Sequence, residues 1–433
     1  MFGTSGIRGP VGETVTADLA LRVGRALGAE TERVVVGRDT RDSGAMLVDA
    51  LASGCRELGT DVVDVGVAAT PTVARAVGWT GADAGVSVTA SHNPPPDNGL
   101  KLWQPSGQAY DAAGRERIAD RAEADDPDLR PWNGLGTRET ADVADRHVAA
   151  LVRDVEPLEL SVAVDLGNGA GRVTADALVA LGCHVETLNA QPDGRFPGRP
   201  SEPTADNCTA LSSLVAGGDY DLGVAHDGDA DRTRAVAGDG TFLSGDALLA
   251  LFAAAAAELG DRVAVPVDTS LAVADYLGER EVSVTRTPVG DVYVAEAASG
   301  PDVAFGGEPS GAWIWPEETL CPDGPLAAVR LAVLTAAEPL EDRLDRVPSY
   351  PIRRANLAVD DRRAVMDRVE ATVQARFDDV VTLDGVRVET GDGWVLIRAS
   401  GTQPLVRVTA EARQPDRADA LLADAREIVE SAR

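Results

Sequence analysis

The sequence predicts an α/β protein: three similar α/β domains with mixed, largely parallel sheets, followed by a C-terminal α+β domain. Three observations carry that expectation. Short β-branched apolar runs alternate with alanine- and leucine-rich helical stretches, the pattern of strand–helix units on a parallel sheet. Three of those runs resemble one another and start about one domain length apart. The last part of the chain then changes pattern. The chain has 433 residues, which at about 150 residues per domain allows two to four domains.

The first run, Arg33-Val34-Val35-Val36-Gly37-Arg38-Asp39, reads as a strand ending in a polar turn. It belongs to a first domain placed at 1–155, closing with an acidic helix before Pro157. The second run, from Ser161 to Gly169, opens a domain placed at 156–246 and ending at the Ser244-Gly245-Asp246 turn. The third, from Arg262 to Thr269, follows an apolar helix over 247–257 in a domain placed at 247–348. The final domain, 349–433, shows a helix near 361–376, short strands around 386–388, 394–397 and 405–408, and a closing helix.

Composition narrows the function. Hydrophobic residues make up 44% and charged residues 25%, as in ordinary globular proteins. No apolar run reaches the roughly 18 residues a membrane span needs, and the N-terminus lacks the basic and apolar regions of a signal peptide. A cytoplasmic protein without a membrane partner is expected. The net charge of −30 argues against nucleic acid, which needs a basic face. It also matches the acidic surfaces of proteins from salt-loving organisms. Of the 40 basic residues only Lys101 is a lysine, so a lysine kept where every other is arginine becomes a candidate for chemistry. Cys55, Cys183, Cys208 and Cys321 have neither CxxC nor zinc spacing and read as buried free thiols. His147 and His184 stand apart from other ligands and read as packing or surface residues.

Four segments carry polar chemistry. Thr89-Ala90-Ser91-His92-Asn93-Pro94 continues to Lys101 through three prolines and a glycine, so it reads as a stiff loop. It presents a serine beside an imidazole, which suits a nucleophilic or phosphorylated serine with cationic help. The competing reading is a plain turn. His226-Asp227-Gly228-Asp229-Ala230-Asp231-Arg232 sets carboxylates at alternate positions that converge on a divalent cation if the loop curls. It lacks the sixth-position glycine and twelfth-position glutamate of a calcium-binding EF-hand, so Mg²⁺ fits better, against a merely solvated acidic loop. Gly306-Gly307-Glu308-Pro309-Ser310-Gly311 offers Glu308 and Ser310 to vicinal hydroxyls, or is simply a turn. Arg398-Ala399-Ser400-Gly401-Thr402-Gln403-Pro404 lies between two strands, and its guanidinium, hydroxyls and backbone N–H groups suit a phosphate. Gly167-Asn168-Gly169-Ala170-Gly171 has GxGxG spacing rather than GxGxxG and reads as a tight turn after a strand.

Taken in this order, with Phe2-Gly3-Thr4-Ser5-Gly6-Ile7-Arg8-Gly9 at the start, these motifs resemble the α-D-phosphohexomutase superfamily over essentially the whole chain, as an archaeal, halophile-like member. The resemblance implies four domains around a central cleft. It implies a phosphohexomutase that interconverts hexose 1- and 6-phosphates of glucosamine, mannose or glucose. Phospho-Ser91 and a hexose 1,6-bisphosphate, which is also the activator, would carry the phosphoryl group. Mg²⁺ would be held by Asp227, Asp229, Asp231 and phospho-Ser91, with Arg8, His92, Lys101 and Arg232 around the phosphoserine. Glu308 and Ser310 would hold the sugar, and Arg398, Ser400, Gly401 and Thr402 the phosphate that is not reacting. The partner would be a small sugar phosphate, and the oligomeric state is left open. Departures are Ala312 where some members carry histidine, Val267-Asp268-Thr269-Ser270 where some carry lysine, and Gln403 in place of glutamate. The segment from Thr287 to Val294 resembles the phosphoglucosamine mutase branch. Alternatives are a phosphopentomutase, a Mg²⁺-dependent sugar phosphatase and a non-catalytic sugar-phosphate-binding protein.

Overall fold

The computed structural model describes residue 3 and residues 6–377, 379–400 and 404–433. They fall into two compact units, one of residues up to 248 with 309–344, the other of 249–308 with 345–433.

The first unit holds two sheets. The larger has six strands in the order Ile7–Pro10, Asp97–Trp103, Ala84–Val88, Arg33–Arg38, Asp61–Val67, Arg138–Thr140. Arg33–Arg38 runs parallel to both of its neighbours, while Asp97–Trp103 is antiparallel to Ala84–Val88 and to Ile7–Pro10. Val34, Val35 and Val36 are fully buried, as is all of Ala84–Val88. Both faces are covered, so these strands read as continuous apolar runs instead of alternating. The helices Ala17–Gly28 and Gly44–Glu57 cross with backbones nearly touching: a Cβ on Gly24 would lie 2.2 Å from the Leu51 carbonyl oxygen, and one on Gly54 2.1 Å from that of Leu21. The smaller sheet has the order Thr233–Ala237, Leu222–His226, Ser161–Asp165, His184–Leu188, parallel except for its first pair. That antiparallel pair is a hairpin whose connection is the acidic segment from Asp227 to Arg232.

One expectation is corrected. The segment from Thr89 to Lys101 is not a loop throughout, because Asp97–Trp103 is a strand between two others. The prolines at 94–96 hide it in the sequence, and its residues from Asn98 onward are buried on both faces, which removes the alternation that marks a strand.

In the second unit, Arg262–Pro266 lies between Ser283–Thr287 and Val303–Gly307, parallel to both. Its C-terminal part is a five-stranded antiparallel sheet ordered Ile352–Ala358, Leu405–Ala412, Gly393–Ala399, Val386–Glu389, Val380–Val381. Val365, Val369 and Val373 of the helix Arg362–Arg376, and Ala418, Leu421, Ala425 and Ile428 of the helix Pro415–Ser431, bury one helix stripe each in the same apolar core as that sheet. The four cysteines are buried and none forms a disulfide. Among the described residues, no helix is long and apolar enough to cross a membrane.

Candidate active site

The parallel strands Arg33–Arg38 and Ala84–Val88 end in register, with Arg38 opposite Val88. The carboxyl edge of a parallel sheet is where α/β proteins place ligands. Ser91 stands there, buried, with φ +51°, a left-handed conformation that costs a non-glycine residue about 1–3 kcal/mol. Its surroundings hold it in place. The Ser91 N–H donates to Thr89 Oγ1 at 2.8 Å, and the Thr89 hydroxyl donates to Asp39 Oδ2 at 2.7 Å. Fully buried Arg41 uses every N–H of its guanidinium. Nε donates to Asp39 Oδ2 at 2.9 Å, Nη1 to the carbonyls of Pro94 (2.7 Å) and Asp97 (2.8 Å), and Nη2 to those of Ser91 (2.8 Å) and Asn93 (2.6 Å). Burial outweighs the Arg41 charge and pushes Asp39 up to about 6.

The acidic hairpin connection meets this loop. Asp227, Asp229 and Asp231 are buried and bring carboxylate oxygens within 4.8 Å of one another. The Ser91 hydroxyl donates to Asp227 Oδ2 at 2.6 Å, and His92 Nδ1 lies 3.3 Å from the same hydroxyl. Ala230, at φ +55°, makes the curl that brings the aspartates together. His226 ties both ends of the turn: Nδ1 donates to the Arg232 carbonyl at 2.8 Å and Nε2 accepts from Thr174 Oγ1 at 2.8 Å. Burial holds His226 down at about 4, so it stays neutral. The Ser201 hydroxyl joins the two loops, donating to the Ser91 carbonyl at 2.9 Å and accepting from the Gly228 N–H at 3.0 Å. The glycine-rich turn at 167–171 is a packing device for the same loop, since a Cβ on Gly169 would lie 2.6 Å from the Gly228 carbonyl oxygen.

Crowded negative charge is the site's main electrostatic feature. Burial first, then Asp229 and Asp231, raise the Asp227 carboxyl well above the usual range. Asp229 Oδ2 accepts from the Thr70 hydroxyl at 2.7 Å, while its Oδ1 is buried and accepts no hydrogen bond. Three carboxylates with an unsatisfied buried oxygen fit a hard divalent cation. Cations ring the pocket. Lys101 Nζ lies 3.9 Å from Asp231 Oδ2. Arg232 follows the triad directly, and Arg8 sits on the strand Ile7–Pro10 opposite Gly99. Burial, then the Arg232 and Arg8 charges, pull His92 down to about 3, so its imidazole is neutral.

Of the predicted residues, the first unit therefore gathers Arg8, Ser91, His92, Lys101, Asp227, Asp229, Asp231 and Arg232. Ser310 belongs to the same unit and is exposed. Ala312, where a histidine stands in some members, is buried and forms a bridge to Arg232. The second unit holds Glu308, Arg398 and Ser400. Buried Glu308 accepts from the Gly290 N–H at 2.7 Å. Arg398 Nη2 donates to Asp384 at 2.6 Å and Nη1 lies 3.9 Å from Asp268. The Ser400 carbonyl accepts from Arg362, at the start of the helix Arg362–Arg376. Gly401, Thr402 and the atypical Gln403 lie outside the described residues. Sequence reasoning missed Asp39, Arg41, Thr70 and Ser201. The signal for the first two was a polar turn, Arg38-Asp39-Thr40-Arg41, at the end of a buried strand.

Fold and site together define a phosphotransferase of the isomerase class. The chain belongs to the phosphoglucomutase/phosphomannomutase family, and its activity is that of a hexose-phosphate mutase. Residues 1–128 match alpha/beta/alpha domain I of that family, 145–240 domain II, 244–350 domain III and 355–428 the C-terminal domain. A probable phosphoglucosamine mutase of Methanothermobacter thermautotrophicus is 44% identical over 431 residues, covering 96% of this chain and 95% of its own. That of Methanococcoides burtonii is 42% identical over 436 residues, covering 100% and 99%. Among solved structures, a phosphoglucomutase/phosphomannomutase family protein from Burkholderia thailandensis has a TM-score of 0.88 at 30% identity, covering 100% of this chain and 98% of that one. A phosphomannomutase-like structure from Thermus thermophilus has a TM-score of 0.82 at 28% identity, covering 99% of each.

Proposed function

We propose that this hexose-phosphate mutase is a phosphoglucosamine mutase working through phospho-Ser91. The observation that carries the mechanism is the 2.6 Å hydrogen bond between the Ser91 hydroxyl and Asp227, within the buried triad. The sugar assignment rests on the relatives, named probable phosphoglucosamine mutases at 39–44% identity.

Asp227, Asp229 and Asp231 would hold Mg²⁺, which supplies neutralisation of charge on the transferring phosphoryl group. Ser91 Oγ carries that group in the resting enzyme and yields it to the sugar's free 1- or 6-hydroxyl, giving the 1,6-bisphosphate. The bisphosphate returns its other phosphoryl to Ser91 Oγ. The Lys101 ammonium relays the proton, giving one to the departing Ser91 Oγ and, as the amine so formed, taking that of the attacking sugar hydroxyl, or it stabilises the charge on the transferring group. Arg8 and Arg232 offset phosphate charge. Neutral His92, beside Ser91 Oγ, serves as a hydrogen-bond partner for the serine oxygen. Arg398, Ser400, Gly401 and Thr402 grip the idle phosphate, and Glu308 and Ser310 orient the sugar hydroxyls. We assign domain junctions near 155, 246 and 348, a cytoplasmic location and a salt-adapted acidic surface on the same footing.

The test is a ³¹P NMR time course in high KCl with Mg²⁺ and a trace of hexose 1,6-bisphosphate. Glucosamine, mannose and glucose 1-phosphates are supplied in separate tubes. Fastest conversion of glucosamine 1-phosphate to its 6-phosphate is the expected result. Preference for another sugar overturns the assignment, and sustained release of inorganic phosphate matching substrate loss overturns the mutase mechanism.

A further inference from the structure

The strand Asp97–Trp103 turns alternate residues to opposite faces. Leu100 and Leu102 enter the apolar core of the first unit. Lys101 and Trp103 share the other face, with Lys101 opposite Ser87 and Trp103 opposite Gly85 on the neighbouring strand. Trp103 is fully buried, and its indole N–H donates to Ser87 Oγ at 2.9 Å, which fixes the ring plane. Lys101 Nζ lies over that ring, 4.6 Å from its centroid, and 3.9 Å from Asp231 Oδ2. Lys101 is itself only 3% exposed. Its ammonium is therefore out of bulk water, against an aromatic face and close to the acidic loop.

We propose that Trp103 is a positioning residue for the transfer reaction, holding the Lys101 ammonium at the reacting centre through its π face. The inference rests on the role assigned to Lys101 above. A four-carbon stem leaves an ammonium free to sample many positions, and near three carboxylates it is drawn onto the nearest. The indole face attracts the same charge, and that attraction is stronger where water is excluded. That attraction competes with the pull of Asp231, from which Nζ stands 3.9 Å. A leucine at 103 stays apolar but is smaller and removes that attraction.

Having a single lysine makes the arrangement directly observable. Protein labelled with [ε-¹³C]lysine gives one lysine resonance, and ring current from Trp103 should shift its methylene protons upfield of free lysine. Trp103→Leu should return them toward the free position and lower kcat about tenfold with little change in KM. Trp103→Phe keeps an aromatic face and should retain part of the shift and kcat within about threefold of wild type. In a Lys101→Met background, Trp103→Leu should cost nothing further, since the group it positions is gone. An unshifted resonance in the wild-type protein overturns the stacking, whatever becomes of the variants. An equal loss with and without Lys101 assigns Trp103 to packing alone. Wild-type turnover in Lys101→Met overturns the Lys101 role and this proposal with it. A crippled Lys101→Met beside a fully active Trp103→Leu overturns only the part given to Trp103.

Discussion

The contact most open to a decisive test is the guanidinium of Arg41. It supplies five hydrogen bonds, one to Asp39 and four to the carbonyls of Ser91, Asn93, Pro94 and Asp97. In Arg41→Met a flexible, shorter apolar side chain remains but no donor. Breaking a buried ion pair by removing one partner costs about 3–5 kcal/mol when the orphaned charge persists. Here Asp39 already sits near 6, and it rises further without Arg41. It can escape as the neutral acid, at about 1.4 kcal/mol for each pH unit above its own value. The carbonyls lose charge-assisted bonds worth about 1.5–3 kcal/mol each where they stay dry. Part of that loss is recovered as the loop moves to reach water. The net expectation is about 4 kcal/mol, or roughly 10 °C in melting temperature at about 2–4 °C per kcal/mol.

Movement of the loop is the functional consequence. Ser91 keeps φ +51° only while its carbonyl is held by Arg41 and Ser201. A displacement of about 1 Å costs on the order of a hundredfold in rate. Arg41→Lys restores a charge for Asp39 but has too few donors for four carbonyls. It should regain much of the stability and little of the turnover. Thermal unfolding in high salt, paired with the rate at which Ser91 takes phosphate from hexose 1,6-bisphosphate, reads both quantities. Wild-type turnover in folded Arg41→Met would refute the claim that this guanidinium sets the serine.

Ser91→Ala should fold as the parent does and lose phosphoryl transfer by more than about a thousandfold, checked by ³¹P NMR for the missing phosphoserine signal. Thr70→Val removes the hydroxyl that orients Asp229 and should weaken Mg²⁺ binding about tenfold by calorimetric titration, while chelation of divalent ions should stop turnover reversibly. His226 sits near 4 in the fold against 6.5 unfolded, so between those values the unfolded chain binds the extra proton. Stability should therefore fall as pH drops from 6.5 toward 4, by about 3 kcal/mol from this residue, and the slope should flatten in His226→Asn when melting curves of the two are subtracted. Gly24→Ala should destabilise despite alanine's better helix propensity, because the new methyl meets the Leu51 carbonyl at 2.2 Å, and calorimetry should show a lower melting temperature with kcat little changed.

The groups proposed to react stand out in the sequence because each sits on one short stretch of chain. A serine with its histidine, or three aspartates at alternate positions, is a pattern that a single turn displays. The strand carrying Lys101 was not legible, since prolines precede it and burial on both faces erased its alternation. The lysine stood out by composition instead, as the one survivor among 40 basic residues. The C-terminal domain showed three of its five strands and its two helices, where the change of period survives in the sequence, while Ile352–Ala358 and Val380–Val381 went unread.

What the sequence hid has a common physical origin. A strained serine and a cluster of buried carboxylates both need donors that their own loops cannot supply. Those donors come from elsewhere in the chain: Arg41, just past a strand, reaches the serine loop across 50 residues, Thr70, at a helix start, reaches Asp229 across 159, and Ser201, in a long loop, reaches Ser91 across 110. Such partners have no fixed spacing from the groups they serve, so no local pattern reveals them. Arg41 can be anticipated by asking which polar residues stand where a buried parallel strand ends. The segment from Arg38 to Arg41 meets that description as well as the serine loop does, because the two strands stop side by side. The chemistry is therefore written along the chain, while its support is written across the edge of the sheet.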